Sequence, residues 1–130
     1  MATESRVILE DIPGTLVWFG RALGDARVNI EAIQGMSIEK RGLVQFVPRD
    51  PGKAAQALDA AGLPYTRREV VVVRVLDEPG TLGDVALLMS TAGINIDSVY
   101  VTTRGSIVLG VDDLAGVTQV AGGMAVMAFE

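Results

Sequence analysis

The chain contains no cysteine and no histidine. Those absences remove thiol nucleophiles, disulfides, cysteine-histidine zinc sites, serine-histidine triads and imidazole acid-base catalysis. Long apolar runs are missing too. The stretch Val70 to Val73 is ended by Arg74, far short of the roughly 20 residues a membrane helix needs, so no membrane association is expected. Positive charge is scarce, with 11 Lys+Arg against 16 Asp+Glu, a net charge of −5 and no basic run longer than a pair such as Arg67-Arg68. Nonspecific nucleic-acid binding, which rests on neutralising phosphates, is therefore not expected. The opening Met-Ala-Thr-Glu-Ser-Arg lacks a basic segment leading into an apolar core. No secretory signal is read there, and a cytoplasmic protein is expected.

What is present is a duplication. Asp11-Ile12-Pro13-Gly14-Thr15-Leu16 returns as Asp77-Glu78-Pro79-Gly80-Thr81-Leu82, and Val28-Asn29-Ile30-Glu31 returns as Ile94-Asn95-Ile96-Asp97. Both pairs stand 66 residues apart, and eight of the 24 positions from Asp11 to Gln34 are identical in Asp77 to Tyr100. The 130 residues thus divide into units 1–69 and 70–130, each of a size that can fold alone if marginally. No Gly- or Ser-rich linker intervenes. Hydrophobic residues make up 49% of the chain and mean hydropathy is +0.38, rich for an ordinary soluble composition. Some apolar surface is expected to be buried between units or subunits.

Each copy reads the same way. The β-rich run Arg6 to Glu10 stops at a Pro-Gly turn. Apolar residues then recur at Leu16, Phe19, Leu23 and Ala26, the spacing of one helical face, and again at Leu82, Val85, Ala86, Met89 and Ala92 before the helix-ending Gly93. Hairpins follow, from Val28 to Val47 around Lys40-Arg41-Gly42 and from Ile94 to Val111 around Arg104-Gly105. Asp50, with Pro51 at the first turn, is expected to cap a helix that buries Ala54, Ala57, Leu58 and Ala61. Asp112 or Asp113 caps its counterpart. Tyr65 to Glu69 and Ala125 to Phe129 supply the closing strands, and Val70 to Val73 opens the second copy. The order strand-helix-strand-strand-helix-strand predicts an α+β fold, two ferredoxin-like βαββαβ sandwiches in tandem with helices on one sheet face.

The duplicated turn carries the chemistry. Outward amides at a helix start, together with the helix dipole, favour an anion such as a carboxylate, and a glycine at 14 or 80 admits a ligand close to the backbone. Asn29 and Asn95 each offer an amide that donates to a carboxylate and accepts from an ammonium. Turn and asparagine together would recognise both ends of an amino acid. The plain alternative is that Pro-Gly makes an ordinary turn, Asp a cap, and Asn a local backbone partner.

The sequence Asp77-Glu78-Pro79-Gly80-Thr81-Leu82, an apolar helix, and Ala92-Gly93-Ile94-Asn95-Ile96 resembles the signature of ACT domains. So does the first copy, except that Arg27 stands where the helix-ending glycine is expected. The resemblance covers most of the chain twice, and is to stand-alone tandem ACT proteins with no catalytic domain. It implies a non-enzymatic regulatory module without cofactor or metal, working as paired domains with sheets side by side. It further implies an amino-acid ligand at interfaces between repeats, a homodimer and a separate regulated enzyme. Carried over residue by residue, the ligand-binding set is Asp11, Ile12, Gly14, Thr15 and Asn29 in one copy, and Asp77, Glu78, Gly80, Thr81, Leu82 and Asn95 in the other. The second turn follows the pattern more closely and is expected to be the better binder.

Other residues have competing readings. Val17 and Trp18 replace Gly83 and Asp84, and either cover a ligand, join an interface or pack on the neighbouring repeat. Met124 and Met127 read as core or interface residues. Asp112-Asp113 reads as a cap rather than a metal site, which needs more oxygen ligands. Arg67 and Arg68 point to opposite faces of a strand and read as solvated. Two other functions compete with sensing. One is a structural or assembly module; the other is a small enzyme using Asp11, Asp77 and Glu78, for which no positioned partner is visible.

Overall fold

A computed structural model describes residues 2–122, 125 and 126. The chain divides into two compact units, one of Thr3–Arg68 and the other beginning at Glu69. The first contains β1 (Ala2–Glu10), α1 (Thr15–Asp25), β2 (Ile30–Ile38), β3 (Arg41–Pro48), α2 (Pro51–Ala60) and the start of β4 (Tyr65–Val73). The second contains the rest of β4, then α3 (Thr81–Thr91), β5 (Ile96–Val101), β6 (Ile107–Val111), α4 (Leu114–Ala121) and β7 (Ala125–Val126). Met124, Met127 and the remainder of the expected last strand lie outside the described residues.

The strand order is β2-β3-β1-β4 in the first unit and β5-β6-β4-β7 in the second, the arrangement of the ferredoxin-like sandwich. All the registers that are set pairwise are antiparallel. Two differences from the expected strands concern β1 and β4. Strand β1 starts at Ala2 rather than Arg6, because polar Glu4 and Ser5 are buried within it. The expected strands Tyr65–Glu69 and Val70–Val73 form one continuous β4.

Each unit buries its own core between sheet and helices. In the first, Val7, Leu9, Val44 and Phe46 meet Phe19, Leu23, Ala54 and Leu58, and Phe19 abuts Phe46 edge-on, with centroids 5.2 Å apart at 79°. Burying one such ring stabilises by about 1.5–3 kcal/mol. In the second, Val71, Val73, Ile107 and Leu109 meet Val85, Met89 and Val117. The expected helical stripes hold at their centres, while Leu16 and Leu82 at the start and Ala92 at the end of the second are exposed. Leu16 and Leu82 are 59% and 52% exposed, because each lies at the helix mouth beside the turn.

The opposite sheet faces differ chemically. In the first unit Glu4 is fully buried and its Oε2 accepts from Arg68 Nε at 2.9 Å, with Arg6 Nε at 3.6 Å. Arg68 is therefore an ion-pair partner rather than a solvated charge, while exposed Arg67 lies 6.0 Å from the Tyr65 ring centroid. At the corresponding positions the second unit has buried Val70 and Val72.

The helix ends obey local rules. Asp50 accepts from the Lys53 amide at 3.1 Å, with Pro51 at the first turn. Asp113, not Asp112, caps α4 through the Gly116 amide at 2.9 Å. Helices α1, α2 and α3 all close with paired bonds, such as Val28 N to Leu23 O and Ile94 N to Met89 O, both 3.0 Å, the Schellman pattern. Its left-handed position is Gly62 (φ 72) or Gly93 (φ 73) in two of them, and Arg27 (φ 58) in α1. Arg27 thus performs the glycine's geometry, at about 1 kcal/mol of strain.

Candidate functional site

In the first unit the segment Asp11 to Gly14 joins β1 to α1. Gly14 takes a left-handed conformation (φ 99) as the helix N-cap, and no side chain caps the helix. The first-turn amides consequently have no intrahelical partner. Thr15 does not fill that role, since its hydroxyl lies 2.8 Å from the Glu10 carbonyl and 3.2 Å from that of Ile12, which fixes the turn. Asp11 does not cap either. Its carboxylate accepts from the Ser37 hydroxyl, tying the turn to the end of β2.

The second turn repeats the left-handed glycine. Gly80 has φ 91, again without a side-chain cap, while Glu78 N donates to Leu76 O at 2.9 Å and Thr81 N to Glu78 O at 3.3 Å. Its electrostatics differ, because Asp84 sits in the first turn of α3 whereas α1 has no acid there. Asp84 corresponds to Trp18, and Glu78 to Ile12.

An open cleft of about 450 Å³ lies beside the first turn, lined by Glu10, Asp11, Ile12, Thr15 and Leu16 from the turn and by Ile33 to Met36 and Gly42 to Val44 from the hairpin. Beside the second turn is a groove of about 470 Å³ lined by Glu78, Thr81 and Asp84 together with Arg74, Val75, Leu76, Val85 and Leu88, and not by Asp77, Gly80 or Leu82. Both volumes fall in the range of about 300–1,000 Å³ usual for small-molecule sites. A further hollow of about 530 Å³ joins Glu10, Asp11 and Ile12 to Lys40 and Arg41 at the hairpin tip.

The asparagines lie elsewhere. Glu10 and Ile38 both pair with Arg41, so the end of β2 meets the turn, while Ile30 at its start pairs with Pro48. Asn29 is therefore at the opposite end of the unit, separated from Gly14 by the 11 residues of α1, about 16 Å of helix. Asn95 is placed likewise beyond α3. The Asn29 carbonyl accepts from Arg49 N at 2.9 Å, and Asn95 N donates to Asp112 at 3.0 Å. Both side chains are exposed. Within a unit, turn and asparagine do not meet at one ligand. Among the described residues no cluster of three His, Cys, Asp or Glu able to hold a metal ion occurs.

Ile33, Met36 and Leu43 line the cleft but lie outside the turn and asparagine motifs. The signal for them was a change of offset. The copies stand 66 residues apart at Asn29/Asn95 but 63 apart at the caps Asp50/Asp113, so the first hairpin is longer. Its tip is the two-residue turn Glu39-Lys40, with φ 50 and 66, a type I′ geometry. The expected turn residue Gly42 lies inside β3, where a Cβ would stand 3.4 Å from the Leu9 carbonyl.

A family model for the ACT domain pair matches residues 2–120. The chain belongs to the ACT domain pair family. Its fold is similar to that of a protein from Bacteroides thetaiotaomicron at 22% identity and a TM-score of 0.84, covering 92% of this chain and 85% of that one. It is also similar to the ligand-free regulatory subunit of aspartate kinase from Thermus thermophilus at 20% identity and a TM-score of 0.64, with 91% of each chain covered. The corresponding subunit from Thermus flavus gives 18% and 0.64, covering 92% of this chain and 86% of that one. No curated protein matches the ACT pair by sequence. Among its described residues, no helix is long and apolar enough to cross a membrane.

Proposed function

We propose that this ACT pair is a non-catalytic sensor that binds an amino acid or related metabolite and, as a cytoplasmic homodimer, regulates a separate protein. The observation that carries it is the duplicated turn, whose glycine holds an uncapped helix start open beside a ligand-sized cleft. The ligand carboxylate meets the first-turn amides, and its ammonium meets Asp11 or Asp77. An asparagine, Asn29 or Asn95, comes from another ACT unit, since none reaches the turn of its own. Thr15 holds its turn through its hydroxyl and Thr81 through its backbone amide on Glu78, and Ile12, Glu78 and Leu82 flank the turns. The kinship with chains named as regulatory subunits of aspartate kinase supports a role beside an enzyme.

Regulation follows from linkage: a ligand that contacts two units favours the arrangement in which both contacts exist, and the partner protein reads that arrangement. Thermal-shift and calorimetric titration of the full chain with each of the 20 standard L-amino acids at millimolar concentration tests the proposal. A saturable rise in melting temperature with at least one of them is expected. Silence from all of them removes the amino-acid reading.

A further inference from the structure

We propose that the two copies have diverged in function, so that only the first unit's cleft holds ligand, and that it selects an amino acid with an aliphatic side chain. This rests on the amino-acid reading above and names the site and side-chain class within it. It also reverses the expectation that the closer family match, the second turn, binds better.

The copies differ first in the hairpin. Ile33, Gly35 and Met36 of β2 pair with Phe46, Val44 and Leu43 of β3, and the ladder continues to Ile38 and Arg41. This extra length reaches past the turn and forms the second wall of the cleft. In the second unit the ladder ends at Val101 and Ile107, and no residue of β5 or β6 lines the groove. One copy builds its cleft from turn, helix and hairpin, and the other from turn and helix without the hairpin.

They differ again at Gly35. Gly35 lines the first cleft, and its counterpart 66 residues on is Val101. The glycine is not required by the backbone, since its φ is not positive and a Cβ would meet Leu43 O and Val44 Cγ2 at ordinary distances of 3.6 and 3.7 Å. Its consequence is space in the cleft.

The lining of the first cleft favours an aliphatic side chain. Leu9, Ile12, Leu16, Ile33, Met36 and Leu43 are apolar. Of the polar side chains between them, Gln34 is engaged by Gln45 and Thr15 by backbone carbonyls, and the acids Glu10 and Asp11, the latter bonded to Ser37, are left for the ligand ammonium. An acidic ligand side chain would meet those two acids, and a basic one would compete with the ligand's own ammonium for them while losing water against the apolar residues, whereas an aliphatic one gains roughly 0.8 kcal/mol per buried CH₂. The second groove sets Arg74, Glu78 and Asp84 beside Val75, Leu76, Val85 and Leu88. Asp84 lies within the first turn of α3, where α1 has no acid, and there it competes with a ligand carboxylate for the same positive potential.

Calorimetric titration of the full chain with L-leucine, L-isoleucine, L-methionine, L-lysine and L-aspartate decides the matter. The expected result is one site per chain, with an aliphatic amino acid at least tenfold tighter than lysine or aspartate. Gly35→Val, which installs the second copy's residue, weakens binding at least tenfold. Val101→Gly changes it less than twofold. Leu16→Gln, at an exposed position, weakens binding without touching the core, so a folding defect in the Gly35 variant would not hide the answer. Two equal sites per chain, a preference for a charged side chain, or sensitivity at Val101 in place of Gly35 overturns the proposal while leaving the amino-acid reading intact. Absence of binding by any amino acid overturns both.

Discussion

The two copies hold one backbone with different chemistry, and they differ most where the backbone agrees best. Gly14 and Gly80 share a left-handed φ near 90–100°, yet one turn leads to Leu16, Val17 and Trp18 and the other to Leu82, Gly83 and Asp84. Behind the turns, Phe19 and Phe46 occupy the places of Val85 and Leu109. On the other sheet face, Glu4 and Arg6 stand where the second copy has Val70 and Val72. The scaffold tolerated these exchanges because each unit buries a core of its own, so a change in one need not be matched in the other.

The largest test of that independence is Phe19→Ala. Loss of the ring from a site 1% exposed is expected to cost about 3–5 kcal/mol. Trp18, the only tryptophan, reports on the first unit by fluorescence, while circular dichroism reports on both. If the units are energetically separate, the fluorescence transition in urea moves to lower denaturant while part of the dichroism transition stays in place. A single shifted transition by both probes would show that the copies unfold together.

A smaller effect tests the polar face. Glu4→Ala removes a buried acceptor and leaves Arg68 and Arg6 without that partner, a loss of about 3 kcal/mol, read in the same urea titration. Glu4→Val with Arg6→Val and Arg68→Met, which makes this face resemble the second copy, is expected to recover most of it. Failure to recover would mean that the charges specify the first unit's structure beyond their energy.

Much of the fold was legible because hydrophobic periodicity and turn chemistry agreed in both copies. The alternating strands, the stripes through Phe19 and Met89, the cap at Asp50 and the stop at Gly93 each follow from a local rule, and tertiary packing did not contradict them. The hairpin tip was misplaced because Gly42 reads as a turn residue, while the residues that turn, Glu39 and Lys40, have no sequence preference for positive φ. Strand β1 was read short because a charge such as Glu4 signals surface until its partner, 64 residues away, is known. The turns of the candidate site were readable, but their relation to Asn29 and Asn95 was not. Adjacency in a motif conceals that a helix carries the chain to the other end of the unit.

The smallest prediction exchanges the two helix stops. Arg27→Gly is expected to stabilise the first unit by about 0.5–1 kcal/mol by relieving a left-handed arginine, and Gly93→Arg to destabilise the second by about 1 kcal/mol. Melting temperatures of the two variants should move in opposite directions. Equal movement would mean that something other than backbone conformation holds Arg27 in place.

The separation of turn and asparagine by the length of α1 has a consequence for how such a chain would count molecules. A unit whose turn and asparagine lie at opposite ends cannot bring both to one ligand, so under the proposed function a ligand held by both would be a cross-link. If the second unit belongs to another copy, ligand affinity depends on protein concentration as well as on ligand concentration. Dilution would then act as an antagonist, and the cellular abundance of the chain would help to set the threshold at which it responds.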